Sequence, residues 1–292
     1  MQYFSSIVHE LTGADIKQRL TYNPRKIPTL LGIMEETSKL PSKVYSRKIR
    51  ESCIQYGIDY TLKMACKSDI SALISDACAD RNIDGIIVYY PIYGDHRDAV
   101  LRNLIPTNKD VEGLNNYYQD ALYNNRRSSH NIPKHIVPCT PLACIKILHH
   151  TGFYESKLLG TQLSGTNVAV FNRSDVVGKP LAAMLYNDGA TVYSIDVNNV
   201  MLYTADGFSP TSMTILNVLD IADVVFSAVP STDFVIKTDL IKEGALCVNV
   251  SHNMNFEDDI HSRCRFVSRI GSITVLMLLR NLIQLCENDV DY

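Results

Sequence analysis

Short apolar runs alternate along this chain with stretches whose apolar positions recur at three- or four-residue spacing. "PTLLGIM" (28–34) predicts a buried strand. "SKVYSRKIRESCIQYG" (42–57) sets Val44, Tyr45, Ile49 and Ile54 near helical spacing, with Gly57 as the stop. "IDYTLKM" (58–64) reads as a strand, and "SDISALISDACAD" (68–80) as a helix capped by Ser68 or Asp69. "DGIIVYYP" (84–91) is a strand ended by Pro91. This β-α-β-α-β rhythm predicts a mostly parallel sheet with helices on its faces, the α/β class.

Periodicity then lapses. Residues 105–140 are rich in Asn, Tyr and turn formers and read as one long loop, of the kind that lines a site. "PLACIKILHHTG" (141–152) predicts a helix with Pro141 in its first turn and Gly152 at its end. The rhythm restarts with a strand at 166–171, a helix at about 178–187 and a strand at 191–195. Later strands are expected at 222–230 and 244–251, and a closing helix at 273–288, apolar around much of its circumference. The expected domains are 1–145, rejoined by the final helix (273–292), and 146–272. The first 27 residues have no assigned role.

Composition narrows the function classes. With 46% apolar and 20% charged residues over 292 positions, the chain is globular. A net charge of −3 gives no electrostatic reason to expect nucleic acid or an anionic membrane as partner. No bilayer-length apolar run or signal-like N-terminus is visible, so a cytoplasmic protein is expected. The eight cysteines form no C-x-x-C pair and read as reduced, mostly buried thiols. His149 and His150 lack a nearby third ligand, and no metal site is expected.

The chemistry concentrates in "VAVFNRSDVVGKPLAAMLYNDGATVYSID" (168–196). A dinucleotide needs close backbone approach and free N–H groups at a helix start. Here a strand ends at Phe171, a polar turn follows from Asn172 to Asp175, and Gly178 sits where helix and strand must pack closely. Ser174 offers hydroxyl and backbone donors, and Arg173 a positive charge; the usual glycine triplet is missing. The next strand ends in Asp196, 24 residues beyond Asn172, where a ribose-binding acid is expected. That carboxylate would repel a 2′-phosphate by ~1 to ~4 kcal/mol at ~4 Å, favouring NAD over NADP, with Arg173 partly offsetting the repulsion. The plainer alternatives are a solvated acid at Asp196 and a surface ion pair at Arg173.

Several stretches, in order, resemble the methylenetetrahydrofolate dehydrogenase/cyclohydrolase family: "SKVYSRKIR", "DGIIVYYPI", "KDVEGLN", "PCTPLACIKIL", "NRSDVVGKPLAAML" with "ATVYSIDV", and "GSITVLMLLRN". The details are most similar to its fungal, monofunctional NAD-dependent branch. The resemblance implies two lobes, an N-terminal α/β catalytic domain and a Rossmann-type doubly wound NAD-binding domain, with folate in the cleft between them. It implies a homodimer through the Rossmann lobe and 5,10-methylenetetrahydrofolate as substrate.

Carried over by motif, Tyr45 would stack on the folate and Glu112 would hydrogen-bond the pterin, where many relatives have Asp. Tyr89 and Pro141 would also border the substrate, and Cys139 would sit at the reacting centre. Tyr45 as plain core and Cys139 as an inert wall remain open alternatives. On the cofactor side stand Arg173, Ser174, Asp196, Val197, and Val229, Pro230 and Ser231 at a later strand end.

The departures matter too. The lysine that bifunctional members carry four residues after the tyrosine is Ile49 here, which cannot polarise a water. Lys48 is adjacent but rotated by about 100° on a helix. The family's strand glutamine is Tyr89, and the loop before the last helix is reduced to "FVSRIGS" (266–272). Hydride transfer without cyclohydrolase activity is therefore expected. The alternatives are a bifunctional enzyme and a non-catalytic nucleotide-binding relative.

Overall fold

The computed structural model describes residues 2–22, 27–126, 135–154, 158–197, 199–204, 207–268 and 270–288. The chain divides into two compact units, one of Glu10–Cys139 with Thr274–Tyr292, the other of Met1–His9 with Thr140–Ile273. No helix among the described residues is long and apolar enough to cross a membrane.

The chain opens with α1 (Gln2–Tyr22), a helix its weak periodicity did not reveal; Arg19 ties it to the last helix, donating to Gln284 Oε1 and Glu287 Oε1, both at 3.0 Å. Then come β1 (Thr29–Glu35), α2 (Leu40–Tyr56), β2 (Asp59–Ala65), α3 (Ile70–Ala79), β3 (Gly85–Val88), α4 (His96–Leu104) and α5 (Asn116–Tyr123). The three strands form a parallel sheet in the order β2-β1-β3, as the alternating pattern predicts. Central β1 is buried at every position after Thr29. Each fully buried Leu, Ile or Val stabilises by roughly 1.5–3 kcal/mol relative to exposure, and Leu30, Leu31 and Ile33 are all buried.

Three local expectations are overturned in this unit. The buried positions of α2 are Ser46, Ile49, Cys53 and Tyr56, while Ile54 is 75% exposed. Ser46 can occupy the core because its hydroxyl pairs with the Tyr60 hydroxyl at 3.0 Å. Asp69 holds the N-cap position of α3 without capping it; its carboxylate instead accepts from the Cys66 thiol and the Ser68 hydroxyl. The supposed long loop contains α5, capped by the Asn115 side chain accepting from the Tyr118 N–H. Ahead of α5, one buried carboxylate organises the turn: Asp110 accepts from the N–H groups of Glu112, Gly113 and Asn115 at 2.9–3.0 Å. Residues 127–134 of that segment lie outside those described.

The chain continues through α6 (Cys139–His150), β4 (Asn167–Phe171), α7 (Gly178–Asn187), β5 (Thr191–Asp196), β6 (Asn199–Thr204), β7 (Gly207–Pro210), α8 (Ile215–Ile221), β8 (Val224–Ser227), β9 (Leu246–Asn249) and β10 (Arg265–Val267). The seven strands of the second unit run in the order β10-β9-β8-β4-β5-β6-β7. The first five of that order are parallel, and β6 and β7 add an antiparallel edge. The first strand of the unit, β4, is thus central, with β5 on one side and β8 on the other, the doubly wound arrangement. The strands expected at 222–230 and 244–251 shorten to four residues each, because the backbone leaves the ladder for loops after Ser227 and Asn249. The closing helix, α9 (Gly271–Asn288), starts in this unit and runs on into the other.

Candidate active site

In a doubly wound sheet a ligand sits beyond the carboxyl ends of the strands, where the strand order reverses. The residues expected to hold a cofactor follow the carboxyl ends of β4, β5 and β8, which lie side by side. After Phe171 the backbone of Asn172 turns left-handed, at φ 83°. Its side chain holds the turn from both ends: Nδ2 donates to Ala228 O at 2.6 Å, and Oδ1 accepts from the Ser174 N–H at 2.8 Å. A Cβ on Gly178 would lie 1.8 Å from Asn172 O. One glycine therefore does here the close-packing work for which the dinucleotide motif is known.

Ser174 lies in the same turn, its hydroxyl accepting from the Gly178 N–H at 3.4 Å. Asp196 is exposed at the tip of β5, its Oδ1 accepting from the Val197 N–H, and Val197 is 94% exposed. Arg173 leans onto the start of the antiparallel edge, donating to Ser194 Oγ (3.1 Å), Ser194 O (2.6 Å) and Asn199 Oδ1 (2.7 Å).

The turn after β8 is held from beneath. Asn255, wholly buried, accepts from the Val229 N–H and the Ser227 hydroxyl and donates to Val229 O at 3.1 Å. Its own N–H goes to Asn249 Oδ1. Pro230 is exposed beyond this clamp, and Ser231 Oγ accepts from the Asp233 N–H. Asn249 and Asn255 carry no local motif, because their partners lie on other segments of the sheet, and sequence reading passed over them.

The second constellation lies in the other unit. Tyr45 meets Tyr89 edge-on, with ring centroids 6.2 Å apart. The Tyr89 hydroxyl bonds that of Tyr60 at 2.8 Å, and Tyr60 bonds Ser46. Gly32 leaves room for this chain, since a Cβ there would stand 2.5 Å from the Tyr60 hydroxyl. Ile49 has no exposed surface and so belongs to the core rather than lining an open wall, while Lys48 is exposed.

Burial, then the Asp110 charge, pushes the Glu112 carboxyl up to about 8, with a hydrogen bond from the Val88 backbone opposing the rise. Asp110 itself is pushed up to about 6 by burial, against its backbone hydrogen bonds. Burial is also the main cause raising the Tyr45 phenol and the Cys139 thiol, and the Glu112 charge adds to both. Tyr45, Glu112 and Cys139 thus interact electrostatically in one low-dielectric patch. Cys139 remains a neutral thiol, donating to Val111 O at 3.4 Å. Pro141 is buried in the first turn of α6 and is grouped with the seven-stranded unit.

Sequence reading also missed Asn281. Fully buried in α9, it donates through Nδ2 to Val111 O and Val137 O, both at 2.9 Å, and contacts Cys139 Sγ at 3.5 Å. An asparagine amide within the largely apolar run "LLRNLIQL" was the available signal. Among the described residues no group of three His, Cys, Asp or Glu could hold a metal ion.

Comparison with known proteins adds to this geometry. Residues 4–112 match the catalytic domain of tetrahydrofolate dehydrogenase/cyclohydrolase, and residues 138–290 match its NAD(P)-binding domain. The methylenetetrahydrofolate dehydrogenase [NAD(+)] of Dictyostelium discoideum is 35% identical over 94% of this chain and 91% of its own. That of Saccharomyces cerevisiae is 37% identical over 89% and 87% respectively. The solved structure of the NAD-dependent 5,10-methylenetetrahydrofolate dehydrogenase from Saccharomyces cerevisiae superposes with a TM-score of 0.89, covering 97% of this chain and 96% of that one, at 34% identity. With both domain models matched in order and relatives above 30% identity along most of its length, this chain belongs to the tetrahydrofolate dehydrogenase/cyclohydrolase family.

Proposed function

We propose that this protein oxidises 5,10-methylenetetrahydrofolate to 5,10-methenyltetrahydrofolate in an NAD-dependent reaction. The observation that carries the reading is the pairing, in one chain, of the Tyr45–Glu112–Cys139 patch with a strand-end acid, Asp196, exposed beside the Gly178 turn. Bound NAD supplies the hydride acceptor. The Ser174 hydroxyl would receive its pyrophosphate, and Asp196 would hold its adenosine ribose. Val197, Val229, Pro230 and Ser231 border the same end of the sheet.

On the folate side, Tyr45 offers a ring face and Glu112 two oxygens for the N–H edge of the pterin. Hydride loss leaves a cation shared by two folate nitrogens, so no base is needed at that step. Catalysis then rests on positioning, with electrostatic stabilisation of the growing positive charge. Cys139 acts as a wall, since its thiol is held neutral and a hydride step requires no nucleophile. Cys139→Ala is expected to keep NADH formation within about tenfold of wild type. A loss beyond about 10³-fold in steady-state kinetics would assign the thiol a chemical role.

Hydrolysis of the methenyl product is proposed to be absent. Ile49 has no proton to give and is sealed in the core, Lys48 is exposed, and the Tyr89 hydroxyl is engaged by Tyr60. The deciding assay follows NADH formation and methenyl absorbance together in purified protein supplied with methylenetetrahydrofolate. NADH with persistent methenyl absorbance is expected. Decay of that absorbance faster than in buffer would mean a bifunctional enzyme, and no NADH at all a non-catalytic relative.

A homodimer through the seven-stranded unit is proposed as well. Edge strand β7 is exposed along its length, and Phe208, 58% exposed, stacks on Tyr203 with centroids 5.5 Å apart. Light scattering that gave a monomer mass at micromolar concentration would refute it.

A further inference from the structure

We infer that Asn199 is a cofactor-specificity residue: with Ser194 it occupies Arg173, so that a guanidinium bonded to the ladder partner of Asp196 is withheld from a 2′-phosphate. The inference rests on the proposed NAD-linked function and gives it a second cause besides the charge of Asp196.

A guanidinium has five N–H donors in a fixed fork, and its strength toward phosphate comes from presenting two of them side by side. In Arg173, Nε donates to Ser194 Oγ at 3.1 Å and Nη2 to Ser194 O at 2.6 Å, with Asn199 O a longer contact at 3.4 Å. Nη1 donates to Asn199 Oδ1 at 2.7 Å. These bonds leave no pair of adjacent donors free for a phosphate. The clamp is built into the sheet. Ser194 lies within β5, and its hydroxyl belongs to a residue with no exposed surface. Asn199 opens β6 and pairs directly with Asp196 across the antiparallel ladder. The pairing that places the ribose acid at the tip of β5 therefore also places the amide that holds Arg173 down.

The two devices act differently. Asp196 repels a 2′-phosphate, whereas Asn199 removes its counter-charge. Of the two partners, Asn199 is exposed, and its amide can be removed without opening the core.

The test is titration calorimetry on the full-length protein with 5′-AMP and 2′,5′-ADP as probes. Asn199→Ala is expected to raise the affinity for 2′,5′-ADP relative to 5′-AMP by about tenfold, the gain of one freed charge-assisted phosphate contact. Adding Arg173→Ala should erase that gain. Asn199→Asp, which keeps an acceptor in place, should leave the ratio at or below its wild-type value. An unchanged ratio in Asn199→Ala, a gain that survives loss of Arg173, or binding of neither nucleotide by any variant would overturn the inference. Because the readout is binding, it fails independently of the dehydrogenase reading, which turnover of the wild type decides.

Discussion

Gly178→Ala is expected to lower kcat/KM for NAD by at least about 10²-fold and to reduce the melting temperature. An added Cβ would stand 1.8 Å from Asn172 O, 2.7 Å from Asn172 C and 3.1 Å from Arg173 Cα, all of them backbone atoms. The Asn172 peptide has no easy way to move. Its φ of 83° is already left-handed, and its side chain is bonded to both Ala228 O and the Ser174 N–H. Alanine in a helix normally gains ~0.5–1 kcal/mol over glycine, but overpacking costs ~1–3 kcal/mol or more, so the clash wins. Relief requires the 172–177 turn to shift by about an ångström, and a misplacement of that size at a positioning site costs ~10²-fold in rate. Thermal melts and steady-state kinetics in NAD check both effects. An alanine variant within about threefold of wild type in kcat/KM would show that the turn does not position the cofactor.

The second large effect is expected at Glu112. Removing its carboxyl in Glu112→Ala should lower kcat/KM for methylenetetrahydrofolate by ~10²–10³-fold, because a buried ligand edge made to be hydrogen-bonded is left unpaired. KM for NAD should stay close to wild type, since Glu112 is assigned to the folate and not to the cofactor.

The carboxyl also gives a pH signature. With its pKa pushed up to about 8, Glu112 is mostly protonated at pH 7 in the empty site. A donor edge selects the ionised form, so binding releases a proton, and folate affinity should rise with pH until about 8 and then level off. Stability has the opposite slope. Between the ordinary value of 4.5 and about 8 the folded protein holds a proton that the unfolded chain has released. This contribution is fully present below pH 4.5 and is lost as pH rises to about 8. Asp110, raised from 3.8 to about 6, adds the same sign over a lower window. Glu112→Gln should abolish the Glu112 part of both slopes. Denaturant titrations and folate binding across this range are the measurements, and parallel pH profiles for wild type and Glu112→Gln would refute the assignment.

Local pattern carried much of this molecule. The apolar run at 28–34, the strand around Val168–Val170 and the helix from Gly178 were legible because their signals lie within a turn or a strand of each other. Gly57 was legible as a helix stop for the same reason, and it ends α2 at φ 68°. The strand-end position of Asp196 followed from counting along a β-α-β unit. The pattern failed where the decisive partner was distant. Ile54 looked as apolar as Ile49, but Tyr60 let Ser46 take a core position and the inward face of α2 turned accordingly. Asp110 organises residues 110–115 through backbone groups, which leave no mark in composition.

By itself, then, the sequence determined the α/β class, the parallel central strands and the family, since periodicity and ordered motifs are properties of neighbouring residues. Only the tertiary structure decided that Ile49 is sealed in, that Asn255 and Asn281 hold the loops of the two units, and that Arg173 is turned onto Ser194 and Asn199. Each of these depends on hydrogen bonds or burial between residues far apart in the chain, whose energies exist only once the sheets and helices have brought them together.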